Sequence, residues 1–255
     1  MENLTEYKNL KDKIVIITGG SQGIGKSMVE EFIKQKCLVH FLDIDNSGAK
    51  KLIDSLSTYD NLPKFYECDI TNIEKLVSII NLIGGKNNCI DVLINNAAND
   101  QRHTIEEVDE KFWKNRIDTN LTHVFFATQT AIPFLKKSNS PSVINFSSIS
   151  WHIGMKNLIA YQTAKSAIHG LTKGFARELG EFKIRVNAIV PGWIMTDRQI
   201  DLWLTPESDK WREEQQSLPD KVHPIDVARL ALFLASADSK MITSQFHKID
   251  GGWMN

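Results

Sequence analysis

The sequence predicts an α/β protein in which a doubly wound, Rossmann-type parallel sheet of about seven strands carries helices on both faces, forming three α/β/α layers. Short β-branched runs alternate with helical segments along the chain, and the first run passes through a glycine-rich turn directly into a helix. Parallel strands need crossover connections, which are right-handed and place helices on both faces. No linker or change of composition interrupts the alternation, so residues 1–255 are expected to form one domain.

The first unit has the pattern of a strand, a glycine loop and a helix. Residues 14–17 are β-branched, glycines follow at 19, 23 and 25, and a helical pattern covers 26–36. Glycines at this spacing allow a tight turn and close approach of the backbone to a pyrophosphate, which then faces the helix N-terminus. An ordinary glycine-rich turn is the other interpretation.

The second strand, over 38–42, ends at Asp43. A dinucleotide-binding fold needs a carboxylate at this point for the ribose hydroxyls of adenosine. A solvated aspartate at the end of a strand is the alternative, but the position of Asp43 in the unit favours the ribose.

The alternation continues to the C-terminal part of the chain. We expect helices over 47–56, 109–137, 161–179 and 225–235, and strands over 64–68, 92–94, 143–146, 184–190 and 246–249. A further helix opens with Thr71-Asn72-Ile73-Glu74, a capping-box pattern. Functional atoms of such sheets collect where the strands end, and five polar or turn residues stand at these ends: Asp43, Asp69, Asn95, Ser148 and Pro191.

Two segments suggest roles beyond the sheet. The helix over 109–137 is apolar on more than one side, so both sides need burial and part of this surface is available to a partner subunit. Residues 193–224 have no clean period, carry three tryptophans among many charges and exceed an ordinary connection in length. An insert of this kind beside an active edge is often a lid, so we expect 193–224 to cover the substrate.

Composition limits the classes of partner. The 30 basic and 31 acidic residues give a net charge of −1, so there is no electrostatic reason to expect nucleic acid, which usually requires a basic face. Cys37, Cys68 and Cys89 are odd in number and widely spaced, which predicts reduced thiols and neither a disulfide framework nor a metal site. No apolar run is long enough for a membrane span, and the first residues lack the pattern of a signal peptide. We therefore expect a cytoplasmic protein that acts on small molecules.

Tyr161 and Lys165 form the candidate catalytic pair. Their four-residue spacing places both side chains on one face of a helix. A nearby ammonium favours the phenolate, so a tyrosine of reference pKa about 10 becomes a plausible base near neutral pH. Tyr7 and Lys11 repeat the spacing in a polar segment, so the spacing alone does not establish catalysis.

An ordered set of motifs resembles the short-chain dehydrogenase/reductase family over nearly the whole chain. The motifs are Thr18-Gly19-x-x-x-Gly23-x-Gly25, Asn95-Asn96-Ala97, Asn120, Ser148, Tyr161-x-x-x-Lys165 and Pro191-Gly192. The resemblance implies that Tyr161 is the acid/base, Ser148 holds the substrate oxygen, Lys165 binds the nicotinamide ribose and favours the phenolate, and Asn120 holds a proton-relay water. Ala98 departs from the pattern, because most members have glycine there.

The resemblance also implies a nicotinamide cofactor, which we expect to be NAD. Asp43 would repel the 2′-phosphate of NADP, and Gln22 stands where a basic residue would be needed to hold that phosphate. The implied cofactor-binding residues are Gly19, Ser21, Gln22, Gly23, Ile24, Gly25, Asp43, Asp69, Ile70, Asn96, Ala97, Tyr161, Lys165, Pro191, Gly192, Ile194 and Thr196.

A narrower resemblance links the chain to bacterial aldose 1-dehydrogenases, the group that oxidises xylose, arabinose, fucose or galactose at the anomeric carbon. It rests on the strings over 95–103 and 148–152 and on Arg198-Gln199. Planar polar groups and aromatic faces suit sugars, and the implied substrate residues are Asn99, Asp100, Arg102, His103, Ser148, Trp151, Asn157, Trp193 and Gln199. Alternatively, the tryptophans pack the lid and Asp100 pairs with Arg102 at the surface.

Three functions remain open from the sequence. The first is an NAD-dependent aldose dehydrogenase that yields an aldonolactone, by family resemblance a homotetramer. The second is a ketone or 3-ketoacyl reductase that uses NADPH, which Asp43 disfavours. The third is a dinucleotide-binding regulator without catalysis, and the pairing of Tyr161 with Lys165 argues against it.

Overall fold

The computed structural model describes residues 5–254, which contain one sheet of seven parallel strands in the order β3-β2-β1-β4-β5-β6-β7. This arrangement confirms the predicted fold class. The strands are β1 (Ile14–Thr18), β2 (Leu38–Asp43), β3 (Lys64–Glu67), β4 (Val92–Asn95), β5 (Ser142–Phe146), β6 (Arg185–Pro191) and β7 (Phe246–Ile249).

Helices cover both faces of the sheet, as predicted. They are α1 (Gly23–Lys34), α2 (Asn46–Ser55), α3 (Ile73–Asn87), α4 (Glu110–Ile117), α5 (His123–Leu135), α6 (Ile159–Leu179), α7 (Asp197–Trp203), α8 (Pro206–Gln215) and α9 (Pro224–Ala235). Two buried apolar clusters separate the layers: α1, α2 and α9 contribute to one, whereas α3, α5 and α6 contribute to the other.

The strand order determines where the cleft for ligands lies in the sheet. The chain runs outward from β1 to β3 and then returns to add β4 on the other side of β1. The loops after β1 and β4 therefore diverge at the carboxyl edge of the sheet, and the crevice between them is the usual ligand site of such folds. The predicted site residues at strand ends all lie at this edge because the strands are parallel.

Two local predictions need correction. Asn72, and not Thr71, caps α3, because its side chain accepts a hydrogen bond from the backbone N–H of Lys75 at 3.0 Å. The Thr71 hydroxyl instead donates to Asp69 at 2.7 Å, so the predicted capping box does not form. The helix predicted over 109–137 is continuous, but a π-helical turn over Asp118–Thr122 divides it into α4 and α5.

The described residues show no helix that is long and apolar enough to cross a membrane. All three cysteines are unpaired, and Cys37 and Cys68 are buried. The segment over 193–224 contains α7 and α8, two short helices that the sequence pattern does not resolve.

Candidate active site

A cleft of about 1520 Å³ lies along the carboxyl edge of the sheet. All the residues predicted to bind the cofactor line it, and so do the catalytic candidates Ser148, Tyr161 and Lys165. The volume exceeds that of most sites for a single small ligand. The cleft therefore has room for a dinucleotide together with a small substrate.

The glycine loop is fixed tightly against the loop after β4. Gly19 and Gly23 have positive φ angles of 70° and 53°, which side chains other than glycine rarely adopt. A Cβ atom on Gly25 would lie 1.8 Å from the carbonyl oxygen of Gly19. The Asn96 amide donates to the carbonyls of Thr18 at 3.0 Å and Gly19 at 2.9 Å. These contacts keep the backbone of the loop exposed to the cleft at the start of α1, where a pyrophosphate fits.

Asp43 lines the cleft at the end of β2. One carboxylate oxygen accepts from the backbone N–H of Ser21 at 2.9 Å, and the other accepts from the backbone N–H of Asp45 at 3.0 Å. A carboxylate has about four acceptor positions, so two stay available for ribose hydroxyls. Gln22 turns to Asp45, to which its side chain donates a hydrogen bond.

Tyr161 and Ser148 meet at the centre of the cleft. Ser148 stands just after β5, where its hydroxyl accepts from the backbone N–H of Ser150 at 3.1 Å and lies near enough to the Tyr161 hydroxyl to influence its pKa. Burial raises the pKa of Tyr161, as does the charge of Asp100. The Ser148 hydroxyl and the positive charge of Arg102 lower the pKa of Tyr161. The raised pKa favours the protonated form of Tyr161. Additional positive charge near the hydroxyl would favour the phenolate.

Lys165 lies one turn after Tyr161 on α6, and its side chain is almost fully buried. The ammonium donates to the carbonyl of Phe146 at 2.8 Å and lies 5.7 Å from the centre of the Tyr161 ring. Burial lowers the pKa of Lys165 to about 7. At neutral pH the charge of Lys165 therefore depends on whether its other ammonium N–H groups find acceptors.

Asn120 lies behind the wall of the cleft and does not line it. It is fully buried in the π-helical turn, a feature that often marks functional sites. Its amide donates to the carbonyls of Arg116 at 2.8 Å and Asn99 at 3.2 Å, and its oxygen accepts from the N–H of Asn99 at 2.8 Å. Both side-chain donors are used, so within the side chain only the amide oxygen can contact the predicted relay water.

A polar network faces Tyr161 from the predicted lid. The Gln199 amide donates to Asp100 at 2.9 Å, and the Trp193 indole donates to the oxygen of the same amide at 3.0 Å. Arg198 forms an ion pair with Asp100 at 3.3 Å. The network joins α7 to the loop after β4 and points carboxylate and amide groups along one wall of the cleft.

Seven of the nine predicted substrate residues line the cleft: Asn99, Asp100, Arg102, Ser148, Asn157, Trp193 and Gln199. The structure does not bring His103 and Trp151 to it. His103 is buried, its Nε2 accepts from the N–H of Ala160 at 3.3 Å and its Nδ1 lies 3.0 Å from the Gln101 carbonyl. The histidine therefore fastens the loop onto α6.

Trp151 packs beside the cleft and not in it. Its indole donates to the Ser147 hydroxyl at 3.3 Å, and its ring stacks on His152 with the ring centres 3.5 Å apart. The aromatic face that the sequence assigned to substrate is thus covered by a histidine.

The residues that line the substrate side of the cleft without having been predicted include Arg198 and Trp203. The guanidinium of Arg102 lies 5.0 Å from the centre of the Trp203 ring. Gln199 and Trp203 are four residues apart on α7, so their side chains lie on the same face of the helix. This spacing could have identified Trp203 from the sequence as a neighbour of Gln199.

Comparison with known proteins places this site in a family. A family model described as Enoyl-(Acyl carrier protein) reductase matches residues 19–254. The chain is 42% identical over 247 residues to the D-xylose 1-dehydrogenase of Caulobacter vibrioides, covering 97% of this chain and 98% of the relative. The chain belongs to the short-chain dehydrogenase/reductase family. Members are oxidoreductases that act on CH–OH groups with a nicotinamide cofactor.

Other similar short-chain dehydrogenases carry related names. The chain is 39% identical to "Probable galactose dehydrogenase GalD" of Rhizobium meliloti, with 97% of each chain covered. The solved structure of Thermoplasma acidophilum aldohexose dehydrogenase is 31% identical, with a TM-score of 0.85 and coverage of 97% of this chain and 96% of the other. The 3-oxoacyl-[acyl-carrier-protein] reductase of Chlamydia pneumoniae is 34% identical over 95% of this chain and 97% of that protein.

The residues present fit a nicotinamide dinucleotide. The glycine loop exposes backbone at the start of α1, and Asp43 keeps acceptor positions available at the far end of the cleft. Ala98, where most family members have glycine, is not among the residues with positive φ. The backbone after Asn96 therefore accommodates a side chain without strain.

Proposed function

We propose that this short-chain dehydrogenase is a cytoplasmic, NAD-dependent aldose dehydrogenase that oxidises a free pentose or hexose at C1 to the aldonolactone. The carrying observation is the wall formed by Asp100, Gln199 and Trp193 beside Tyr161, where carboxylate, amide and indole groups meet. Such groups match the vicinal hydroxyls of a sugar ring. The names of the xylose, galactose and aldohexose dehydrogenases among the relatives support the same substrate class.

In the proposed reaction, Ser148 holds the C1 hydroxyl oxygen and Tyr161, as phenolate, takes its proton. The bound cofactor supplies the hydride acceptor for the C1 hydrogen. Lys165 holds positive charge beside Tyr161, and the wall of Asp100 and Gln199 fixes the ring hydroxyls so that C1 faces the tyrosine. The products are the lactone, the reduced cofactor and a proton left on Tyr161.

The alternative is a reductase of ketones or 3-ketoacyl groups, a class represented by the relative from Chlamydia pneumoniae. Such substrates have long apolar parts, and these would desolvate the charged side chains of Asp100 and Arg198 at a cost in free energy. The same observation argues for a polar substrate.

We expect D-xylose, L-arabinose, D-galactose or L-fucose to be oxidised under saturating cofactor, with negligible turnover of aliphatic secondary alcohols and no reduction of 3-ketoacyl substrates. A site built to hydrogen-bond hydroxyls rejects analogues that lack them, because its buried polar groups are left unpaired. The formation of the reduced cofactor, followed by absorbance, is the measurement. Turnover of an apolar alcohol or ketone with no sugar oxidised contradicts the sugar assignment.

A substitution of Gln199 tests whether the polar wall of the cleft binds the sugar. Gln199→Leu removes the amide that contacts Asp100 while keeping a side chain of similar size, and we expect it to raise the KM for the best sugar at least about tenfold. Gln215→Leu on α8 is the matched control, because Gln215 lies outside the main cleft. Equal effects of the two substitutions count against a role of the Gln199 wall in binding the sugar.

We further propose a homotetramer assembled through the helices around α4 to α6 and through β7. Trp113 on α4 is 39% exposed and Phe125 on α5 is 40% exposed, and Phe125 stacks on Phe175 of α6. Apolar surface of this kind is typical of contacts between subunits. Light scattering at micromolar concentration is expected to give a tetrameric mass, and a monomeric mass would refute the assembly.

A further inference from the structure

A smaller cavity of about 380 Å³ lies beside the active-site cleft, and the proposed reaction does not use it. We call this cavity the annex. It is lined by residues 153–156 of the loop before α6, by Trp211 and Gln215 of α8 and by Trp253 of the C-terminal tail. The residues that line both the annex and the main cleft are Ile153, Met155, Lys156, Trp211 and Trp253. The annex therefore continues the cleft, and its volume lies at the lower end of the range for pockets that hold a small ligand.

The annex is fastened to the segment that carries the catalytic tyrosine. Residues 153–156 lead into α6, on which Tyr161 lies. The side-chain amide of Gln162, the next residue, donates to the Ser150 carbonyl at 3.0 Å and to the Met155 carbonyl at 2.7 Å. These bonds fix the loop that borders both cavities. A ligand that occupies the annex is thus held at a set position relative to Tyr161.

Two tryptophans form one wall of the annex. The ring centres of Trp211 and Trp253 lie 4.9 Å apart, with the ring planes inclined at 75°. Trp211 is 42% exposed. Within residues 5–254 no protein acceptor is found for either indole N–H. The pair consequently offers apolar ring faces and hydrogen-bond donors at the same place.

The C-terminal tail is built to hold Trp253 in this wall. The buried carboxylate of Asp250 accepts from the backbone N–H groups of Gly252 and Met254, each at 3.0 Å. Gly251 and Gly252 have φ angles of 66° and 80°, which glycine adopts without strain. The Gln216 amide donates to the Asp250 carbonyl at 3.1 Å and joins the tail to the end of α8. A wall that is already ordered binds a ligand without the free-energy cost of ordering its side chains.

We propose that the annex binds a second sugar ring, so that the substrates include reducing disaccharides whose free C1 is oxidised at Tyr161. The first ring lies against the wall of Asp100 and Gln199. The second ring covers the indole faces of the two tryptophans, and its hydroxyls pair with their N–H groups and with the ammonium of Lys156. The second ring is joined through a hydroxyl remote from C1, because C1 stays free for oxidation. The inference rests on the proposed function, since it needs an aldose that is oxidised at C1.

A sugar ring suits the annex better than the acyl chain of a 3-ketoacyl substrate. An alkyl chain would desolvate the Lys156 ammonium and the indole N–H groups without replacing their hydrogen bonds to water. The hydroxyls of a sugar replace these bonds, while its C–H face covers the rings of Trp211 and Trp253.

The kinetic test compares each disaccharide with the monosaccharide at its own reducing end: xylobiose with D-xylose, and cellobiose, maltose and lactose with D-glucose. We expect at least one disaccharide to have a KM at least about fivefold lower than its monosaccharide, with kcat within about threefold. The second ring adds binding energy that is equal in the ground state and in the transition state, whereas the chemistry at C1 is unchanged.

Substitutions of Trp211 locate this effect in the annex. Trp211→Ala removes an indole face and is expected to raise the KM for the disaccharide about tenfold, whereas Trp211→Phe keeps an aromatic face and retains most of the affinity. The KM for the monosaccharide should stay within about twofold in both variants, because a single ring held by Asp100 and Gln199 does not extend into the annex. Phe182→Ala is the control, since Phe182 is an exposed aromatic residue that lines neither cavity.

A binding measurement tests the annex without turnover. Isothermal titration calorimetry follows the binding of xylobiose and D-xylose to the Tyr161→Phe variant with the cofactor present. We expect xylobiose to bind at least about fivefold more tightly than D-xylose, and the added substitution Trp211→Ala to remove this difference.

The outcomes separate this inference from the proposed function. Oxidation of monosaccharides with no lower KM for any disaccharide overturns the annex inference alone, whereas a failure to oxidise any sugar overturns both. An equal rise of KM for one ring and for two in Trp211→Ala also overturns the inference, because the tryptophan then acts on the first ring. A changed mass by light scattering with an unchanged KM assigns the pair to a contact between subunits and overturns it as well. Should Trp211→Ala fail to fold, as judged by near-ultraviolet circular dichroism, Trp253→Ala provides the same comparison.

Discussion

Replacing Tyr161 with phenylalanine is expected to abolish nearly all turnover while the fold and cofactor binding persist. The substitution removes one oxygen atom, the hydroxyl that faces Ser148 in the cleft, and keeps the ring and its packing. General acid/base catalysis supplies roughly a hundredfold to ten-thousandfold in rate. We therefore expect kcat to fall by at least about a hundredfold with the cofactor dissociation constant nearly unchanged, measured by steady-state kinetics and by fluorescence titration.

Tyr66→Phe is the matched control for this experiment. It deletes the same hydroxyl at a residue of β3 that does not line the cleft, where the hydroxyl contacts His40 at 3.1 Å. Full activity is expected to persist in this variant. Retention of more than about a tenth of the parent rate in Tyr161→Phe would show that another group transfers the proton.

The fold and the cofactor side of the site could be predicted from the sequence because they depend on short-range patterns. The strand at 14–17, the glycine spacing and the helix that follows are adjacent in the chain, and each limits the backbone of the next. Asp43 and Asp69 were placed correctly at the cleft because parallel strands carry their ends to one edge.

The substrate side was predicted less completely because side-chain direction there depends on tertiary contacts. His103 and Trp151 lie close in sequence to residues that line the cleft, yet each turns to a partner elsewhere, the N–H of Ala160 and the Ser147 hydroxyl. The polarity of a loop indicates which kind of ligand it suits. It does not show which of its side chains bond to other parts of the protein instead of facing the cleft. The capping box predicted at the start of α3 was also wrong, because Asn72 caps the helix and the Thr71 hydroxyl donates to Asp69.

A strong preference for NAD over NADP is the second large effect that we expect. Asp43 keeps acceptor positions for the ribose hydroxyls, which donate, whereas a 2′-phosphate has no proton to offer at neutral pH and carries negative charge. At about 4 Å the repulsion amounts to roughly 1 to 4 kcal/mol per pair of unit charges, according to the screening by water. The ratio of kcat/KM for the two cofactors should accordingly be about tenfold or more.

Removing the charge of Asp43 tests whether its carboxylate causes the preference for NAD over NADP. Asp43→Asn should lower the preference for NAD by about tenfold or more through better use of NADP, because it deletes the repulsion at nearly constant volume. Asp45→Asn is the control, since Asp45 lies two residues away, lines the cleft and is engaged by Gly48 and Gln22. Equal efficiency of the parent protein with both cofactors would mean that Asp43 does not face the ribose or that Lys51, which also lines this end of the cleft, neutralises the phosphate. A Lys51→Met variant separates these two causes, because it restores the preference for NAD only if the lysine was compensating.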